Sequence, residues 1–452
     1  MTALTRNSIA IATGIFLFLL TDHAAGAFTS ALLPGMKSPQ RALSLFPAGR
    51  PQVDLRKRAG ASGSAAYSLD DIGAPPANIY PSSSPVGFNN TGQIFGIALR
   101  AVKGDRLSYL SDPDCLVWTG QRFVDISPAS TIEACTPYAM NAADSTSGTF
   151  TVVGLFRDIY HLPQAYSSAE DPSQVAFSAS LSATAATYTF VPYYDHNPSA
   201  LYGVNTAGTT VGSSGWHSGD LPIFTGAPHK ELTFLQPSCA TTAVGCLSPI
   251  QNHEIFSTAE PPDYCAFGGC TIDDAGHVLG YDPSTNDYAV HTIGLSSSTI
   301  ELPLPTSVHV VAMNRAGKVV YVEMRSGARS IVSAVYDRLA GTSTVIPPVA
   351  ATSCVHYFPL SMNNLGEVLG FTSRCASRDF YWTWDPMHGT QQVSASVPAG
   401  ASKFMAYGVN DKAQILVSFE ASGGAVHWGM LDAPAATRAT FSSREKDVHH
   451  VR

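Results

Sequence analysis

The chain predicts an all-β fold: a β-propeller, most simply of seven four-stranded blades, with the ring closed by the N-terminal strand. Three observations predict it. A turn of the form Asn/Asp-x-x-Gly, flanked by short apolar and β-branched runs, recurs in series along the sequence. An aromatic strand followed by a Gly turn and another strand comes after some of the copies. The 37 glycines and 30 prolines in 452 residues favour many turns and short strands over long helices.

The chain divides into four parts. Met1–Asn7 is a short leader with one cation, Arg6, and Ser8–Leu20 is a mostly apolar run of 13 residues. Ala25-Gly26-Ala27 is an A-x-A cleavage site, so residues 1–27 read as a signal peptide. The competing reading, a membrane anchor, needs about 20 apolar residues. No later segment reaches that length, so no membrane span is expected after signal removal. Residues 28–66 are rich in Pro, Ala, Ser, Gly and Arg and read as a flexible basic linker, with Arg56-Lys57-Arg58 as its densest run. Residues 67–436 hold the repeats, and 437–452 form a polar tail.

The turn copies are anchored at Asn89, Asn141, Asn205, Asp273, Asn314, Asn363 and Asn410, spaced 52, 64, 68, 41, 49 and 47 residues apart. Asn and Asp tolerate left-handed backbone and bond their own main chain, and Gly supplies positive φ. The flanking runs supply two strands. A period of roughly 50 residues suits four short strands, which is one propeller blade. Unrelated hairpins in a β-sandwich are the competing reading, weakened by seven copies in series. Copy two carries extra residues after Asn141, and copy seven has Ala413 where Gly is expected. Tyr67–Gly73 resembles a fourth strand yet precedes the first anchor, and the last copy lacks one, so this segment is expected to complete the last blade.

Cys115–Ile126, Phe380–Asp385 and Val426–Leu431 supply the candidate third and fourth strands, and Trp118, Trp382 and Trp428 read as blade-packing residues. On these motifs the sequence resembles the extracellular HAF-repeat proteins, whose repeats carry Asn-x-x-Gly-x-Val-x-Gly followed by His-Ala-Phe-x-Trp. The resemblance covers roughly residues 67–432, although the His-Ala-Phe triplet never appears intact. It implies export and a propeller-like repeat fold, and it implies no reaction.

All eight cysteines lie beyond the signal peptide: Cys115, Cys135, Cys239, Cys246, Cys265, Cys270, Cys354 and Cys375. An even count in an exported chain suggests disulfides. Pairing of sequence neighbours is the expectation: 115–135, 239–246, 265–270 and 354–375. A zinc site from the middle four is the rival, against which one gap is too wide. The expected location is extracellular or periplasmic.

Charged residues are only 13 % and the net charge is −8, which argues against a nucleic-acid partner. No G-x-S-x-G, H-E-x-x-H, P-loop or EF-hand loop is present. No cofactor or metal is expected, and a monomer is. A propeller site would lie where the segments leading into the innermost strands converge. Those segments carry Tyr80, Glu133, Tyr194, Asp195, His196, Asp263, Tyr264, His309, His356, Tyr357 and Lys403, and Trp216 lies in an insertion. Three functions compete. The first is an exported propeller that binds a carbohydrate or an extracellular surface partner without chemistry, for which Tyr80, Glu133, Asp195, Trp216, Asp263 and Tyr264 are the ligand candidates. The second is a polysaccharide lyase acting by β-elimination from a uronate, with His196, His309 or His356 as base, Tyr194 or Tyr357 as acid, and Lys403 against the carboxylate. The third is a structural envelope or matrix component. Asn89-Asn90-Thr91 is also a glycosylation sequon.

Overall fold

The computed structural model describes residues 52–55, 65–80, 82–99, 113–127, 134–141, 148–157, 174–182, 186–191, 199–214, 231–236, 257–258, 272–282, 287–292, 298–305, 308–324, 331–349, 354–376 and 378–434. These residues form strands and turns, with no helix among them. In chain order the first strand is β1 (Ala65–Gly73). A first set follows: β2 (Ser82–Phe88), β3 (Ile94–Leu99), β4 (Pro113–Trp118) and β5 (Phe123–Asp125). The second is β6 (Ala134–Met140), β7 (Phe150–Arg157), β8 (Gln174–Leu181) and β9 (Ala186–Val191). The third is β10 (Ser199–Val204), β11 (Thr210–Ser214), β12 (Glu231–Gln236) and β13 (Ser257–Thr258). The fourth has β14 (His277–Asp282), β15 (Asp287–Thr292) and β16 (Ser298–Glu301). The fifth is β17 (Val308–Met313), β18 (Lys318–Met324), β19 (Ile331–Asp337) and β20 (Thr342–Val345). The last seven strands are β21 (His356–Met362), β22 (Val368–Ser373), β23 (Tyr381–Asp385), β24 (Gly389–Ser396), β25 (Ser402–Val409), β26 (Ile415–Glu420) and β27 (Val426–Asp432).

Within each set the strands follow chain order as an antiparallel meander. The expected ring closure is present. β1 pairs antiparallel with β27, Leu69 opposite Leu431, and becomes the fourth strand of the last set. It also pairs in parallel with β24, Tyr67 opposite Ala395, so the last two sets fuse into one eight-stranded sheet. An all-β meander of this kind, closed by a strand from the other end of the chain, is a β-propeller.

The core lies between neighbouring sets. Phe95, Val117, Phe150 and Phe177 pack between the first and second. Tyr288, Val290, Val310 and Tyr321 pack between the fourth and fifth. Val320, Val335, Tyr357, Trp382 and Trp384 pack between the fifth and sixth. Ile94, Leu116, Leu416 and Trp428 join the first set to the last. Trp382 and Trp428 are fully buried, as expected for blade-packing residues. The indole of Trp382 lies across Gly370, where a Cβ would overlap both the ring and the Phe358 carbonyl.

Two expected disulfides are present. Cys115–Cys135 ties β4 of the first set to β6 of the second, and Cys354–Cys375 brackets the β21–β22 hairpin. Cys239, Cys246, Cys265 and Cys270 lie outside the described residues, as do residues 1–51 and 435–452. Within the stretch read as a flexible linker, residues 52–55 are docked. Val53 and Phe404 exchange backbone hydrogen bonds of 2.9 and 3.1 Å, the Leu55 carbonyl accepts from Ala395 N, and both side chains are buried. Apolar Val53 and Leu55 gain more from burial than this short piece loses in chain entropy.

Candidate functional site

Six of the anchors sit where the first strand of a set turns into the second, and Asp273 precedes β14, the first described strand of the fourth set. Each Oδ1 accepts backbone N–H groups of its own turn. Asn363 Oδ1 takes Leu365 N at 3.1 Å and Glu367 N at 2.8 Å, and Asn410 Oδ1 takes Lys412 N and Gln414 N. The glycine at the fourth turn position has positive φ in five copies, and in copy seven Ala413 is held at φ 57° in its place. Each Asn Nδ2 then donates across to the carbonyl of the next anchor. The links run Asn89 to Asn141, Asn141 to Asn205, Asn205 to Asp273, Asn314 to Asn363, Asn363 to Asn410, and Asn410 back to Asn89. All seven side chains are between 2 % and 6 % exposed. Six amide links therefore run around the axis, from Asn314 through Asn410 and Asn89 to Asp273.

The circuit has one exception with a chemical cause. Asp273 has no amide hydrogen to donate. Its Oδ2 instead accepts from His277 Nδ1 at 2.6 Å and lies 3.6 Å from Arg338 Nη2, which comes from the end of β19 in the next set. In two other copies the residue four after the anchor is an acceptor: Asn363 Nδ2 donates to Glu367 Oε2 and Asn410 Nδ2 to Gln414 Oε1. Donor and acceptor exchange places in the Asp273–His277 copy. A second layer runs one residue beyond the anchors, where Asp411 accepts from Asn364 N and both Asn90 and Asn364 side chains reach its carboxylate. Asn89 is the sequon asparagine, and its amide nitrogen is committed to the circuit.

The opposite end begins with the innermost strands. Six of them carry a one-residue bulge three positions before the anchor, at Val86, Tyr138, Tyr202, Val311, Leu360 and Tyr407. Bulges re-aim a side chain and sharpen local twist. Pro85, Pro137 and Pro359 just before three of them are the sequence sign that pattern reading passed over, since Pro in a sheet is confined to edges and bulges. At Tyr407 the hydroxyl reaches Ser84 Oγ of the first set at 2.9 Å and Ser418 Oγ at 3.0 Å.

The sequence-predicted residues divide as follows. Tyr194, Asp195, His196, Glu133, Trp216, Asp263 and Tyr264 lie outside the described residues. Tyr80 is buried against Ile94 and Trp428, and its hydroxyl donates to Asp125 Oδ2 at 2.9 Å. Lys403 pairs with Glu420 at 2.5 Å. His356 and Tyr357 are consecutive on β21 and so point to opposite faces. Tyr357 packs against Phe380 and Trp382 between the fifth and sixth sets. His356 lies by Phe358, is 5 % exposed, and has a buried Nε2 without a hydrogen-bond partner. Burial, and then the nearby Arg374 charge, hold its imidazole below the ordinary histidine value. His309 occupies the face of β17 opposite to Val308 and Val310, which pack toward the fourth set. It therefore faces the same gap as Tyr357, and burial lowers its pKa to about 4. The sequence reading did not single out Arg338, nor Arg374, which is exposed at the end of β22.

No group of three or more metal-ligating side chains occurs among the described residues. No family model matches the chain, and no curated protein matches it. Solved structures of similar fold include a catalytically inactive virginiamycin B lyase from Staphylococcus aureus, at 9 % identity and TM-score 0.40 over 81 % of this chain and 99 % of that one. An oligogalacturonate lyase in complex with manganese is similar at 11 % identity and TM-score 0.48 over 83 % and 99 %. The β-propeller domain of the trilobed protease from Pyrococcus furiosus is similar at 8 % identity and TM-score 0.44 over 82 % and 95 %.

Proposed function

We propose that the chain is an exported, seven-bladed propeller that binds an extracellular glycan or surface partner at the mouth where the innermost strands begin. The observation that carries this reading is the contrast between the two ends. The anchor end is consumed by the hydrogen-bonded circuit, with its polar side chains buried and engaged. The other end receives the lead-in segments, whose side chains vary from set to set on a scaffold that holds them fixed. The two disulfides are compatible with an oxidising compartment. The test is binding of residues 28–452 to a glycan array, repeated with chelator and followed by product analysis on each hit. Saturable binding without product supports the reading. Absence of binding to every glycan moves the search to protein partners.

A uronate lyase is the second reading, favoured by one pair. His309 and Tyr357 face one gap, and an imidazole with a pKa of about 4 is unprotonated at neutral pH. It would take the C5 proton while Tyr357 protonates the departing oxygen at C4, leaving a C4–C5 double bond. Tyr357 is 7 % exposed within an aromatic cluster, which places this reading second. New ultraviolet absorbance on mixing with a polyuronate would promote it.

A further inference from the structure

Three non-glycine residues among those described have positive φ: Ala413, Arg374 and Lys403. Ala413 is explained by the turn motif. The other two are cations at the same end of neighbouring strand sets. Arg374, at φ 57°, follows the last residue of β22, and Lys403, at φ 53°, lies in a bulge at the start of β25. Left-handed backbone at a side chain with a Cβ costs energy and persists where the surroundings over-determine it, often at ligand sites. The surroundings here are specific. His356 is paired opposite Ser373 at the end of the ladder, and the Cys354–Cys375 disulfide closes the hairpin two residues further on. Arg374 is held between the two.

The two cations are unequally matched. Lys403 is paired with Glu420. Arg374 is exposed and, among the described residues, has no ion-pair partner. Its charge bears on His356, whose Nε2 is buried and unpartnered. We propose that the end of β22 is an anion subsite, in which Arg374 receives a carboxylate of an acidic glycan at the mouth, beside His356. A single guanidinium presents a planar two-pronged donor that matches a planar carboxylate, which a lysine ammonium does not. The proposal rests on the glycan-binding reading and names its ligand class.

The test compares a uronate trisaccharide with its methyl ester by calorimetry, using the full exported chain and two variants. Arg374→Gly removes the cation and accepts the left-handed backbone without strain, so the hairpin keeps its shape. Arg374→Lys keeps the charge and loses the fork. The expected result is binding of the acid in clear preference to the ester. Affinity for the acid falls about 10- to 100-fold in Arg374→Gly and by less in Arg374→Lys. Equal binding of acid and ester, or an Arg374→Gly variant that binds the acid like the parent, overturns the subsite and leaves the glycan-binding reading standing. No saturable binding of any glycan by the parent overturns that reading, and the subsite with it.

Discussion

The side-chain amide of Asn410 donates to the main-chain carbonyl of Asn89, 321 residues earlier, at 3.3 Å. This bond returns the circuit of anchors to its start. It joins the last innermost strand to the first without using the ladder that β1 forms with β27. The propeller is thus closed twice, once at its outer edge by strand pairing and once at its centre by side-chain amides.

The circuit predicts a cost for each link. Asn363→Ala removes two donated bonds and leaves the Leu365 and Glu367 amides without their acceptor. A loss of about 1–3 kcal/mol is expected for buried groups left unsatisfied. Urea unfolding measures it, and a change of a few tenths would show that the circuit is incidental.

Ala413 predicts a gain. At φ 57° an alanine carries a penalty of about 1 kcal/mol that glycine avoids. Ala413→Gly should therefore raise stability by about that amount, less the extra entropy of the unfolded chain. A lower melting temperature for this variant would contradict the account of the turn.

At Asp273 the join between the fourth and fifth sets is ionic where the other links are amide. The double variant Asp273→Asn, His277→Gln recreates the arrangement of Asn410 and Gln414. The melting temperature of the parent should depend on salt more strongly than that of the double variant, since screening weakens charge pairs and leaves amide bonds nearly untouched. Equal salt slopes would count against an ionic join.

Burial sets the acid response of His309. Its folded value is about 4 against an ordinary 6.5. Between these values the unfolded chain binds the proton and the folded chain does not. Stability from this group is therefore complete above pH 6.5, falls as pH drops through the window, and is gone near pH 4. The ceiling is about 3 kcal/mol. His309→Phe, with phenylalanine as at Phe358 five residues before the next anchor, should flatten unfolding free energy across that window. His356 acts in the same direction and keeps part of the slope. An unchanged profile would mean that His309 is hydrated.

Much of this architecture was legible in the chain because it is local. Asn/Asp-x-x-Gly fixes a turn within five residues, and five intact copies with two altered ones in series announce a repeat. The closing strand was legible as a surplus at one end and a deficit at the other. The neighbour disulfides 115–135 and 354–375 were likewise within reach of spacing. What escaped is non-local. That an anchor amide would reach the next anchor depends on where neighbouring sets lie, and no pattern within one copy carries that. Glu367, His277 and Gln414 look unrelated until their partners show that each completes its anchor. The site was least legible. His356 and Tyr357 share one lead-in segment, and strand geometry puts them on opposite faces. His309 and Tyr357 are 48 residues apart in sequence, and they face one gap. Arg374 gave no signal, because its backbone conformation is imposed by a ladder end and a disulfide.

The double pairing of β1 also sets the order in which the molecule can be completed. Residues 65–73 are made before the other described strands, and their partners β24 and β27 belong to the last two sets. At ordinary rates of synthesis the first strand waits roughly 20–70 s for them. Until then its edge is open, and the inner circuit lacks its final link. The closed propeller is a product of the finished chain.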